Sequence, residues 1–193
     1  MQTRRVIPAA LVVLTLAVAA CAPVSTTPTP TPTPAPAPVA LVNDGELPIP
    51  AGYQRWPKFL SEVQRADAKQ VREIYMNKAA TQATAANGFP NGTVFVMENY
   101  AAAANADGSL KTGADGKLVK GDLLRVFVMG KGQGWGDSAP PGLKNGDWIY
   151  AGYLPGGEKS PEPPSACRAC HLPLSSKDFV HRYDEYFSQV AAK

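Results

Sequence analysis

Five residues near the C-terminal end carry the most pointed chemistry in the chain: Cys167-Arg168-Ala169-Cys170-His171. Two thiols three positions apart stand on one side of a helical turn. From there both sulfurs can reach the vinyl groups along one edge of a porphyrin. The histidine that follows is then carried beneath the ring, with its imidazole set to bind iron as the proximal ligand. A CxxCH run is therefore read as the attachment signature of a c-type haem. Two other uses of paired thiols fit less well. A zinc site needs four ligands, and outside this run only Cys21, His181 and carboxylates remain. A redox dithiol of the thioredoxin kind would follow the first strand of a βαβ unit, and no such pattern precedes this one.

The N-terminal residues give the chain an address. Residues 1–20 begin with Arg4 and Arg5 and run apolar from Val6 to Ala20, as in a secretory signal peptide. Val18-Ala19-Ala20-Cys21 resembles a bacterial lipobox, in which a cysteine after small residues is lipidated and becomes the mature N-terminus. An ordinary signal peptide with a chance cysteine is the alternative. If Cys21 carries lipid, the remaining two of the three cysteines are both consumed by haem, and no odd thiol is left in an oxidising compartment. Haem is joined to CxxCH outside the cytoplasm, so leader and motif imply the same place. The expected location is the periplasmic side of a bacterial membrane, the outer one since Ala22 gives no retention signal of the aspartate type.

Charge excludes one class of partner. Without Arg4 and Arg5, seventeen basic residues face sixteen acidic ones, and two haem propionates would tip the balance negative. No nucleic-acid surface is expected. Residues 21–40 combine the lipidation site with a Pro/Thr/Ala-rich linker, and nine of the nineteen prolines fall between Pro23 and Pro50. Alternating Thr-Pro and Ala-Pro favours extended polyproline II, long enough to hold a domain up to ~50 Å from a membrane at about 3.1 Å per residue.

The folded domain is placed at residues 41–193. Lys58 to Gln70 is charged and mixed, with no clean period. Val71 to Asn77 fits helix or strand by pattern alone. Lys78 to Asn87 is Ala-rich and breaks at Gly88, which predicts a short helix. Strands are predicted at Thr93–Tyr100, Leu123–Met129 and Asp147–Tyr153, with Asp107-Gly108 and Asp115-Gly116 as turns of a polar hairpin. Phe179, Tyr183, Tyr186, Phe187 and Val190 recur at helical spacing, which predicts a closing helix from Lys177 to Ala192. The fold class is thus α+β, a mainly antiparallel sheet flanked by helices, with haem c attached near the C-terminus. A small all-helical cytochrome carries CxxCH early and a methionine ligand after it, and no methionine follows His171.

With these residues in view, positions 47–193 resemble the cytochrome P-460 family, which includes cytochrome c′-beta. The resemblance rests on Tyr53-x-x-Trp56, Val71 to Asn77, Phe89-Pro90-Asn91-Gly92-Thr93-Val94, and CxxCH followed by Asp178-Phe179-Val180. It implies that Val71 to Asn77 is a strand, that the protein is a homodimer, and that haem lies against the sheet with an open distal position. One branch of the family oxidises hydroxylamine through a haem also linked to a lysine. The other lacks the link and binds nitric oxide and similar diatomic ligands. The matching segment here, Thr81 to Asn87, has no lysine, and Lys78 is the nearest candidate.

The distal side leaves several residues open. Glu98 could relay protons from bound hydroxylamine, or simply face solvent. Phe95 and Phe89 could form an apolar cap or belong to the core. Met97 and Met129 are possible sixth ligands, which would suit a tethered electron carrier, although methionine in a strand is usually packing. His181 is expected on the exposed side of the closing helix, and Arg125 could pair with a propionate. Three functions follow: a five-coordinate ligand-binding redox protein, a hydroxylamine-oxidising enzyme, and an electron carrier whose redox partner the sequence does not name.

Overall fold

The computed structural model describes residues 41–192; the segments read from the sequence as a signal peptide and a linker, with Cys21, lie outside the described residues. Five strands form one antiparallel sheet in simple sequence order: β1 (Lys58–Arg65), β2 (Gln70–Met76), β3 (Val94–Ala102), β4 (Lys120–Lys131) and β5 (Trp148–Tyr153). Two helices follow, α1 (Pro164–His171) and α2 (Tyr183–Ala191). No helix among the described residues is long and apolar enough to cross a membrane. The α+β class read from the sequence is the architecture observed.

Side chains alternate across a strand, and both faces of this sheet are covered. One face, here the inner face, carries Met76, Phe95, Met129, Trp148 and Tyr150. They pack with Phe59, Phe89, Val180 and the α2 residues Tyr183 and Tyr186. The other carries Tyr75, Val96, Val126, Val128, Ile149, Ala151 and Tyr153, covered by Leu47 and Tyr53 from the N-terminal segment. Burying two apolar faces is why the strands read as near-continuous hydrophobic runs.

Three local readings are corrected. Lys58 to Arg65 lacks a period because β1 is bulged. Its register with β2 shifts twice, and Glu62 takes a left-handed φ of 50°. Such bulges break the alternation that marks a strand. Lys78 to Asn87 forms no α-helix; a short 3-10 turn at Ala80–Gln82 gives way to a closed turn. Polar side chains there compete for the backbone. Thr81 Oγ1 donates to Lys78 O, Asn77 Oδ1 accepts from Ala80 N, and Thr84 Oγ1 accepts from Asn87 N. The closing helix begins six residues later than its periodicity predicts. Asp178, Phe179 and Arg182 have φ of 49°, 57° and 58°, so the chain turns left-handed before α2 starts.

Candidate haem-attachment site

α1 opens with Pro164, whose fixed φ and missing N–H suit a first helical turn, and contains the whole CxxCH run. Cys170 is exposed and Cys167 partly buried, both with free thiols. Burial pushes the Cys167 thiol above its ordinary range, aided by nearby Glu162 and Asp44.

What fixes this helix lies between the cysteines. Arg168 is completely buried. Its Nε and Nη2 donate to Asp44 at 2.5 and 3.1 Å, and its Nη1 donates to Leu143 O at 3.3 Å. Asp44 Oδ1 also accepts from the Tyr150 backbone N–H. Asn145 donates to both Arg168 O and the Tyr150 hydroxyl. The motif is thereby tied to β5 and to the N-terminal segment by buried polar bonds.

His171 is held with equal definition. Its Nδ1 lies 2.7 Å from Phe179 O. A carbonyl only accepts, so Nδ1 carries the proton and Nε2 presents its lone pair. Burial pushes His171 down to about 4, so the imidazole is neutral at physiological pH. Its ring packs against Tyr150, 5.0 Å between centroids, on the inner face of the sheet. His181, expected on the helix, instead precedes it. Its ring lies 4.7 Å from that of His171, and its Nε2 lies 3.5 Å from Cys170 Sγ.

The register then defines the surface beside this cluster. On the inner face three rows run across the inner strands. Met76, Phe95, Met129 and Tyr150 are the innermost. Next come Ile74, Met97, Phe127 and Gly152, all half-buried. The outermost row is Arg72, Asn99 and Arg125. An apolar row is thus followed by a basic one. In that basic row, buried Arg72 Nε and Asn99 Oδ1 have no hydrogen-bonding partner, and burial lowers the Arg72 guanidinium below its ordinary value. Buried polar atoms without partners are uncommon. A haem, apolar in its ring and anionic along one edge, fits this gradation. Two thiols and one neutral imidazole fit the attachment edge and the iron. No cluster of three or more His, Cys, Asp or Glu that could hold a metal ion stands among the described residues.

The other predicted site residues fall elsewhere. Glu98 does not face His171. It points to the opposite side of the sheet, buried, where it accepts from the hydroxyls of Tyr53, Tyr100 and Tyr75 at 2.7, 2.8 and 3.0 Å. Burial and the Glu98 charge raise the Tyr53 and Tyr100 hydroxyls well above their usual value. Strand alternation decides this: Glu98 shares its face with Val96, not with Met97. Phe89 and Phe95 are packed inside the core, 1% and 5% exposed, in edge contact at 5.0 Å. Met97 lies in the half-buried apolar row, whereas Met129 packs against the core cluster. Lys78 is exposed just beyond the end of β2, past Met76 and at the end of the sheet away from Arg72. Arg125 Nη1 donates to Leu124 O at 2.9 Å, in the basic row. Sequence reasoning missed Arg72 and Asn99, although their period-2 spacing with Ile74 and Met97 was the signal. It also missed Asp44, which no local pattern marks.

Comparison with known proteins gives the family. The sequence model of the family described as Cytochrome P460 matches residues 50–182, more than half of the chain. A search of curated proteins finds no match.

Proposed function

The chain belongs to the cytochrome P460 family and is therefore a haem protein, and on that premise we propose that it is a c-type cytochrome binding small nitrogen-oxide or other diatomic ligands at five-coordinate iron. The observation that carries this reading is the state of His171: neutral, hydrogen-bonded through Nδ1, with Nε2 left to coordinate. Cys167 and Cys170 would hold the porphyrin by thioethers, and Arg72 and Arg125 would meet its propionates. Bound iron with one open position supplies reversible ligand binding and one-electron redox chemistry. The chain's own part is to orient and exclude. The Phe179 carbonyl keeps the proton on Nδ1 and fixes the ring plane. Arg168 and Asp44 hold the motif helix in place. Ile74, Met97 and Phe127 line the apolar row that would exclude water from the ring.

The test is direct. Expressed in a host that matures such proteins, the chain should keep its red colour through acid–organic extraction. The ferrous form should be high-spin and five-coordinate, and should bind nitric oxide. A low-spin six-coordinate spectrum without added ligand would refute the ligand-binding reading.

Met97 keeps the electron-carrier reading in play, because it is half-buried on the His171 side of the sheet. If it ligates, Met97→Leu moves the reduction potential sharply. The hydroxylamine-oxidising alternative needs a lysine joined to the porphyrin, and Lys78 is exposed beyond β2. Mass spectrometry of haem peptides decides it, since a Lys78 peptide free of porphyrin, with no other lysine attached, excludes the link. Export, lipidation of Cys21, anchoring to the outer membrane and homodimerisation complete the proposal.

A further inference from the structure

The carbonyl that orients His171 belongs to a backbone segment in an unfavourable conformation. Asp178 and Phe179 are consecutive non-glycine residues in the left-handed region, where the side chain crowds the backbone of an L-residue. Something must hold them there, and one carboxylate does. Asp178 Oδ2 accepts from the Phe89 backbone N–H at 2.8 Å. Lys131 Nζ donates to both carboxylate oxygens, at 2.9 and 3.0 Å, and also to Phe89 O at 2.8 Å. Trp148 Nε1 donates to Oδ1 at 3.3 Å. The fit is close: a Cβ on Gly88 would stand 2.8 Å from Asp178 Oδ2. The side chains of Asp178 and Lys131 are only 18% and 19% exposed, so the pair is largely shielded from water.

We propose that Asp178 is a positioning residue for the iron ligand. By locking residues 178–179 to Lys131, Phe89 and Trp148, it holds the Phe179 carbonyl on His171 Nδ1 and so sets the donor strength of the imidazole. This rests on the haem reading above. A hydrogen bond accepted from Nδ1–H makes an imidazole a stronger donor. A stronger donor stabilises ferric iron relative to ferrous. Loosening the carbonyl therefore weakens the iron–histidine bond and raises the reduction potential.

The test uses the full-length, haem-loaded chain. Asp178→Asn keeps the shape of the side chain but removes its charge and one acceptor site. Relative to the unmodified protein, the ferrous iron–histidine stretching band in resonance Raman should move to lower frequency. The reduction potential should become more positive. Asp137→Asn, which removes a surface partner of Lys144, should change neither. If Asp178→Asn does not accumulate as folded protein, Lys131→Met is read in the same way. Loss of thermal stability with both the band and the potential unchanged would overturn the proposal and leave Asp178 a purely structural anchor. Unmodified protein that never acquires haem would instead remove the haem reading itself.

Discussion

Removing the Arg168 guanidinium should destabilise the domain far more than an ordinary charge deletion. Arg168 has no exposed side-chain surface, while Asp44 is 21% exposed. In Arg168→Met the aliphatic stem survives, and the Asp44 carboxylate keeps the Tyr150 N–H and some water. The cost should therefore sit at the low end of the range for breaking a buried pair, about 3 kcal/mol. For a domain of this size that lowers Tm by roughly 6–12 °C. Asp44→Asn is the harsher change, since the amide keeps one acceptor oxygen but leaves a wholly buried cation without its counter-charge; here ~3–5 kcal/mol is expected. The double variant should lose less than the sum of the two single changes, because it leaves neither a buried cation nor an unpaired carboxylate. Denaturant unfolding of the haem-loaded chain, followed by far-UV circular dichroism, gives all four corners of the cycle. A coupling of about 2–3 kcal/mol is expected for groups in direct contact. Strict additivity would mean that the pair does not hold the motif helix, and would refute the reasoning.

Two further outcomes follow from the opposite face of the sheet. Glu98→Ala strips three tyrosine hydroxyls of their shared acceptor, and at about 1–3 kcal/mol per buried orphan it should cost ~3 kcal/mol or more. It should leave the visible haem spectrum unaltered; a displaced Soret band would return Glu98 to the haem side. For Glu73, burial alone would raise its pKa, but Lys58 and Lys120, at 2.9 and 3.3 Å, together hold it below its ordinary value. A carboxylate with a depressed folded-state pKa adds stability that is present above its unfolded value and lost as pH falls through the folded one. Stability should therefore drop below about pH 4.5, and Glu73→Gln should flatten that acid limb. An identical slope in the variant, measured by chemical unfolding from pH 6 to 3, would contradict the assignment.

The motif and the strands were legible because they depend on local order. Cys167, Cys170 and His171 sit at a spacing that a helical turn brings together, and the apolar runs of β3, β4 and β5 carry their own signal. What was not legible depends on contacts distant in sequence or on backbone states that the residue types do not advertise. Arg168 and Asp44 are 124 positions apart. The hydrophobic spacing from Phe179 onward is helical, yet Asp178, Phe179 and Arg182 turn left-handed without a glycine among them. Asp178 shows why: its bonds to Lys131, Phe89 and Trp148 outweigh the local preference for helix. Glu98 was read as a distal candidate for a simpler reason, since a strand residue faces one side or the other and the sequence alone did not say on which side His171 would pack.

That choice of side depends on register, and the irregularities of the sheet are distributed so as to protect it. β2 and β3 pair without interruption from Met76 and Phe95 to Gln70 and Ala101. β3 and β4 stay in step from Val94 to Asn99, and the first shift comes only after Asn99. The bulges of β1 lie on the edge strand. A one-residue slip between inner strands would exchange Met97 for Glu98 and bring a tyrosine-bound carboxylate to the His171 side. Glu98 resists that slip. In the native register it has three hydroxyl donors, whereas in the slipped one it would be a buried anion beside apolar Ile74 and Phe127. The residue that appeared in the sequence to be a distal proton relay thus serves the site from behind, by making the alternative pairing of the sheet prohibitively costly.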